Sequence, residues 1–346
     1  MRLFETSGAH ILVDGQYGST GKGALASWLA TKPGQPKWKC VISNAGPNSG
    51  HTFYHEGKKH VLKQLPTFAV KQYLMGNVIE AHLSAGAIIN PEILAEECLR
   101  YPGIPVSIHP NAAVITERER EAEHSGSIAA VAGTRSGTGA ALARKIERHP
   151  DAIWRNYPGA WGVRVPFIER HDAVFIEVSQ GFSLGINQPF YPKVTSRECT
   201  ASQALADAGM PPRWTARTYM AIRTFPIRVG NVDGHDSGGW YGDQQETTWE
   251  ELGVTPERTT VTNRVRRVAT FSEAQFTEAL RANDPDWVFL NFLNYIKDDH
   301  DRAKFASRVW DIANAALERP VGIICSRGAT DEDVYSTLDV IHSPGG

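Results

Sequence analysis

Residues 13–23 read V-D-G-Q-Y-G-S-T-G-K-G and close the apolar run Ile11–Val13; residues 48–52 read N-S-G-H-T and come after a second apolar run, Cys40–Ile42. Two strand-like runs thus each deliver a glycine-rich turn. Between them the turns hold Lys22, His51, the hydroxyls of Ser19 and Thr20, and several bare backbone amides. Glycine lets backbone N–H groups approach an anion closely, and a helix beginning near Gly21 would aim its positive end at that anion. The pattern reads as a phosphate cradle with a histidine beside it. It does not meet the G-x4-G-K-[ST] template, because Gln16 stands where glycine is required and Gly23 where Ser or Thr is required. A tight structural turn and a satisfied core histidine remain open on these residues alone.

The 346-residue chain is long enough to bury a large core. We expect a single catalytic domain over residues 1–346, since no linker, repeat or low-complexity tract interrupts it. A net charge of -2 with 21% charged residues gives no basic field for nucleic acid. No apolar run approaches the roughly 20 residues of a membrane span, and the N-terminus lacks the plan of a signal peptide. Cys40, Cys98, Cys199 and Cys325 are widely spaced and form no C-x-x-C, so they read as free thiols in a reducing cytoplasm.

Short β-branched runs recur at Ile11–Val13, Val41–Ile42, Val174–Val178, Tyr219–Phe225, Trp287–Phe292 and Val321–Cys325, with helical periodicity between them. Ser272-Glu-Ala-Gln275 reads as a capping box opening a helix over Glu273–Ala282, and Asp301–Glu318 carries Phe305, Val309, Ile312 and Ala316 at helical spacing. The expectation is an α/β fold with a large, mainly parallel central sheet flanked by helices, its ligands gathered at the carboxyl ends of the strands. Lys32–Lys39 and Asn231–Thr248 read as loops, the second also as a lid in the less favoured reading.

Further polar clusters follow these runs. Gly133–Lys145, G-T-R-S-G-T-G-A-A-L-A-R-K, is either a capped helix start or a phosphate turn. Val178–Ser196 reads V-S-Q-G-F-S-L-G-I-N-Q-P-F-Y-P-K-V-T-S. Thr259–Arg267, T-T-V-T-N-R-V-R-R, concentrates arginines whose planar forks suit carboxylate or phosphate.

Taken together, these stretches resemble the adenylosuccinate synthetase family, with its G-x-Q-W-G-D-E-G-K-G, N-A-G-H-T, G-A-Q-G…Y-P-x-V-T-S and T-T-G-R-x-R-R segments. The resemblance covers residues 10–330 and implies a P-loop-related fold, a magnesium ion, and a ligase that forms ADP or GDP. It implies that Gly18, Thr20, Gly21, Lys22, Gly23, Gly50, His51, Thr52 and Arg266 meet the donor nucleotide. Ser326 and Gly328 would close over its base, and Lys22, His51 and Gln180 would act in catalysis. The acceptor nucleotide would meet Ser19, Asn48, Ser49, Gln180 and two phosphate-binding threonines, Thr134 and Thr195. By spacing, Arg148 takes the place of an arginine that the family supplies across a homodimer interface. Thr262, Asn263, Arg264 and Arg266 would hold L-aspartate, with Asn263 replacing a glycine at a place where asparagine tolerates a left-handed backbone. Magnesium would take the Gly50 carbonyl and, weakly, Ser19.

Two departures carry information. The family's guanine-reading T-K-L-D is Asn291-Phe-Leu-Asn294 here. An amide both donates and accepts where a carboxylate only accepts, so Asn294 suits adenine and points to ATP or dATP. The family's catalytic aspartate is Ser19, a shorter, neutral residue that leaves room for a 2-amino group on the acceptor. Short bacteriophage relatives carry serine there and join aspartate to dGMP. A ligase acting on dGMP in a host cytoplasm is therefore expected. The rivals are an ordinary adenylosuccinate synthetase acting on IMP, a nucleotide-binding pseudoenzyme and a nucleoside monophosphate kinase. For the N1 proton, Ser19, a water and substrate phosphate are candidates, with Asp14 the less favoured one.

Overall fold

The computed structural model describes residues 2–124, 135–232, 235–259 and 263–336. Its apolar runs become the centre of a nine-stranded sheet. In chain order the strands are β1 (Gly8–Asp14), β2 (Trp38–Ser43), β3 (Ala81–Leu83), β4 (Val106–Ile108), β5 (Ala173–Glu177), β6 (Thr215–Arg223), β7 (Trp287–Asn291), β8 (Gly322–Ser326) and β9 (Val334–Ser336). Across the sheet their order is β9-β8-β7-β6-β1-β5-β2-β3-β4. Every neighbouring pair runs parallel except β8 with β9, which is antiparallel.

Successive strand residues face opposite sides, and here both sides are covered, so the strands are apolar without alternation. Leu12, Val41, Phe175, Tyr219, Phe289 and Ile324 join one core with helix α1 (Lys22–Thr31) and the helix Thr67–Leu74. Their neighbours Ile11, Val13, Ile42, Ile176, Ile222, Val288 and Ile323 join the other core, with helices Ala201–Asp207, Glu273–Asn283 and Asp299–Leu317. Val309 is buried there, and Phe305, Ile312 and Ala316 pack at its edge, as their spacing predicts.

The central strands end where apolar residues give way to a buried polar one: Asp14, Ser43, Glu177, Arg223, Asn291 and Ser326. Because the strands are parallel, these six termini lie along one margin of the sheet. β7 stops at Asn291 rather than Phe292 because Phe292 turns into the left-handed region at φ 61°. The Ser272 side chain accepts from the Gln275 N–H at 2.9 Å, but Gln275 Nε2 donates to Ser183 Oγ at 2.8 Å instead of returning to the cap, so the expected box is half formed. Segment 231–248, apart from residues 233–234, keeps the exposed surface of a solvated loop but is pinned to the fold at several points. Tyr17 Oη donates to Gln244 Oε1 at 2.7 Å, Arg228 donates to the Ser237 carbonyl, and Tyr17, Phe190, Trp240 and Tyr241 pack ring against ring. All four cysteines are free thiols. Among the described residues no helix is long and apolar enough to cross a membrane.

His82 on β3 is buried and donates from Nδ1 to Ser107 Oγ at 2.9 Å, since the Ser107 hydroxyl itself donates to Glu80. Burial pushes its imidazole down to about 4. The unfolded chain therefore takes up this proton first as pH falls, and stability present above about 6.5 is lost progressively toward pH 4, by about 3 kcal/mol for this group. Melting curves between pH 7 and 4 should show a shallower acid decline for His82→Asn than for the wild type; parallel curves would refute this.

Candidate active site

The strand termini and the loops that follow them surround a cavity of about 530 Å³. It is lined by Tyr17–Ala24 from the first glycine-rich loop, Asn48–Thr52 from the second, Gln180 after β5, Glu257–Thr259 and Arg266, Asn291, Phe292, Asn294 and Tyr295 after β7, and Gly328–Ala329 after β8. Two adjacent aromatic and basic side chains, Tyr54 and Lys59, complete one wall. Lys22, Lys59, Arg258 and Arg266 face a single carboxylate, Glu257, among the described lining residues, so the cavity is cationic and suited to polyphosphate and carboxylate ligands.

Asp14 shapes the first loop from beneath. Its Oδ1 accepts the N–H groups of Gln16 at 2.9 Å and Gly18 at 3.1 Å; its Oδ2 accepts Thr20 Oγ1 at 2.5 Å and Lys22 Nζ at 2.9 Å. A fully buried carboxylate with both oxygens taken is a scaffold, not a proton acceptor. Lys22 Nζ also donates to the Gln180 carbonyl at 2.9 Å, and Gln180 Nε2 to Asn48 Oδ1 at 2.8 Å, which links three of the cavity's loops. That link requires close main-chain approach: a Cβ on Gly181 would lie 2.1 Å from the Gly18 nitrogen. Gly21 caps α1 at φ 91°, and a Cβ there would lie 1.9 Å from Asn291 Nδ2, which donates to the Thr20 carbonyl. The predicted helix start is thus in place, with its free N–H groups at the cavity.

His51 Nδ1 lies 3.7 Å from Glu177 Oε2, and its buried Nε2 has no protein partner. Glu177 is itself anchored, accepting the N–H groups of Thr67 at 2.9 Å and Phe68 at 2.6 Å at the start of their helix. Ser19 adopts φ 54°, exposes its side chain, and accepts from Arg266 Nη1 at 2.9 Å. Behind it the Glu257 carboxyl, which burial alone would raise, is held below the usual range by the Arg223 guanidinium.

Several expected residues stand behind the cavity wall and do not line it. Thr195 donates its N–H to the Leu184 carbonyl at 2.7 Å, and Ser326 is buried beneath the β8 loop, donating to the Gly328 carbonyl at 2.9 Å. Arg264 donates its N–H to the Thr259 hydroxyl oxygen at 3.0 Å, and Arg267 pairs with Glu246 rather than with the cavity. Asn263 has φ 53°, the left-handed backbone anticipated for it. Arg148 is exposed just beyond the helix Thr138–Ile146, which is capped by Gly137. Thr134 and Thr262 lie outside the described residues.

Glu257, Tyr295, Tyr54 and Lys59 were not singled out from sequence. Nothing local marks them, whereas Arg223, a charge inside the apolar run Tyr219–Phe225, offered a signal. The scaffold reading of Asp14 predicts that Asp14→Asn, which turns one acceptor oxygen into a donor facing Thr20 or Lys22, costs on the order of 3 kcal/mol in urea unfolding. A variant as stable as the wild type would contradict it.

The profile of the adenylosuccinate synthetase family matches residues 11–153 and 165–307. The N6-succino-2-amino-2'-deoxyadenylate synthase of Vibrio phage phiVC8 is 38% identical over 305 residues, covering 83% of this chain and 86% of its own. That of cyanophage S-2L is 36% identical over 310 residues, 84% of each chain. A solved structure of the cyanophage S-2L succinoaminodeoxyadenylate synthetase, bound to dGMP and to dATP as an energy donor, superposes with a TM-score of 0.81 at 33% identity over 96% of both chains. The fully ligated adenylosuccinate synthetase of Plasmodium falciparum shares the fold, with a TM-score of 0.75 at 14% identity over 96% of this chain and 100% of its own. On the family match over most of its length and on relatives of this identity and coverage, the chain belongs to the adenylosuccinate synthetase family.

Proposed function

We propose that the chain, acting as one catalytic domain in the cytoplasm, is a carbon–nitrogen ligase that joins L-aspartate to C6 of dGMP with ATP or dATP as phosphoryl donor. The product is N6-succino-2-amino-2'-deoxyadenylate, released with phosphate and the nucleoside diphosphate. The observation that carries this reading is Ser19, a short neutral side chain at the cavity where relatives acting on hypoxanthine keep an acid. Phage relatives of the same name, and dGMP with dATP in the cyanophage S-2L structure, support it.

In this reading the donor's γ-phosphoryl moves to the purine 6-oxygen as the N1 proton leaves, and the aspartate amine then attacks C6 and expels phosphate. Lys22 and the main-chain amides of Thr20, Gly21 and Gly23 hold donor phosphates, with Gly18 shaping the turn and Gly50 and Thr52 on the facing loop. The free Nε2 of His51 meets the transferring group. Asn294 reads the donor base beneath Gly328, and Ser326 shapes that loop. Asn48, Ser49, Gln180, Thr134 and Thr195 bind the acceptor; Thr262, Asn263, Arg264 and Arg266 bind aspartate. Asp14 and Glu257 have their oxygens occupied, which leaves the N1 proton to Ser19, a water or a nucleotide phosphate.

Magnesium fits a site that offers few protein ligands: Gly50 and Ser19 provide neutral oxygens at the cavity, and among the described residues no cluster of three His, Cys, Asp or Glu competes for it. The Gly50 carbonyl and Ser19 would hold it, and it would supply positive charge to offset that developing on the phosphoryl group.

Aspartate-dependent ADP release should favour dGMP over IMP by roughly 10²-fold in kcat/KM, and Ser19→Asp should reverse the preference. Equal use of IMP by the wild type would end the dGMP reading. We also place Arg148 of the partner subunit at the acceptor phosphate in a homodimer. Arg148→Ala should raise the KM for dGMP by about 10-fold with no change in melting temperature; an unchanged KM would remove the reason for a shared site.

A further inference from the structure

Ser19 is held in a backbone conformation that an L side chain keeps only where its surroundings impose it. Two arginines supply that constraint. Arg223, fully buried at the end of β6, donates from Nη1 to the Ser19 carbonyl at 3.0 Å, and Arg266 donates from Nη1 to Ser19 Oγ at 2.9 Å. Glu257 joins them. Its carboxylate accepts both terminal nitrogens of Arg223, and its carbonyl accepts the Arg266 N–H at 2.9 Å.

The outer side of this bracket is rigid as well. The Tyr295 hydroxyl donates to Glu257 Oε1 at 2.8 Å, and the Arg223 guanidinium lies 3.8 Å over the centre of the Phe292 ring. Gln16 fixes the Arg223 main chain from the loop side, accepting its N–H at 2.9 Å and donating to its carbonyl at 3.2 Å. A bidentate, ring-stacked arginine has little freedom to move, unlike a lysine in the same place. Since Ser19 Oγ accepts from Arg266, the hydroxyl proton is left to donate toward a ligand.

We propose that Arg223 and Glu257 are positioning residues for Ser19, setting where its hydroxyl meets the acceptor purine. The proposal rests on the reading of Ser19 as the residue that faces that purine. Neither side chain touches the reacting atoms in this scheme; both act through residue 19. A displaced hydroxyl misaligns the acceptor ring against the donor phosphoryl, where errors of about 1 Å cost roughly 10²-fold in rate.

The test is a pair of double-mutant cycles. Arg223→Lys and Glu257→Gln are each made alone and with Ser19→Ala, and kcat/KM for dGMP is measured by aspartate-dependent ADP release, with melting curves to show folding. Ser19→Ala alone should lower kcat/KM by on the order of 10²-fold. Arg223→Lys should lower it by roughly 10- to 100-fold in the wild-type background, yet by less than about 3-fold once Ser19 is alanine. Glu257→Gln, which keeps the shape and one acceptor oxygen, should show the same non-additivity at smaller amplitude, and it carries the test if the lysine variant does not fold. Losses that multiply independently of residue 19 would overturn the positioning role while leaving the acceptor reading intact. An unchanged rate for Ser19→Ala would instead overturn both.

Discussion

The site depends on one buried anion. Asp14 closes β1 in the middle of the sheet, where no water reaches it, and a carboxylate so placed must find donors for both oxygens. It finds four, and all of them belong to the next eight residues: two loop amides, the Thr20 hydroxyl and the Lys22 ammonium. The requirement to neutralise that charge curls the chain back over its own strand end. The curl leaves Gly21, Gly23 and the first turn of α1 at the cavity, so anion binding there follows from anion burial below it.

The same logic repeats at the neighbouring strand ends. Glu177 closes β5 and takes two amides of a helix start; Arg223 closes β6 and takes Glu257; Asn291 closes β7 and reaches the Thr20 carbonyl. Each buried polar terminus reaches sideways to a different segment of chain. The loops around the cavity are therefore fixed to one another through the sheet margin, not only through their own turns. Rigid placement of this kind is what phosphoryl transfer asks of a protein that contributes positioning more than covalent chemistry.

How much of this was legible beforehand follows from range. The central strands declare themselves as apolar runs because both faces are covered, and the glycine loops because only glycine fits where Gly18 meets Gly181 and Gly21 meets Asn291. The three-residue strands Ala81–Leu83 and Val106–Ile108 at one side of the sheet carry no such signature, being too short for any period. Segment 231–248 reads as solvated by composition, yet Tyr17 and Gln244 pull it onto the fold from far away in sequence. Glu257 and Tyr295 were invisible for the same reason: their meaning lies in Arg223, which no spacing rule connects to them. The half-formed cap at Ser272 shows a local motif losing its second arm to a tertiary partner, Ser183.

Gripping phosphate and discriminating the base fall to different parts of one loop. Main-chain N–H groups, shaped by Asp14 and by glycines that admit no Cβ, form the grip; residue 19 projects from it, exposed, its carbonyl held by Arg223 and its hydroxyl by Arg266. Exchanging that side chain leaves the main-chain scaffold untouched. A lineage with this architecture can change which nucleobase it accepts by a point mutation while its grip on triphosphate is inherited intact, and divergence in nucleotide chemistry becomes a short evolutionary step.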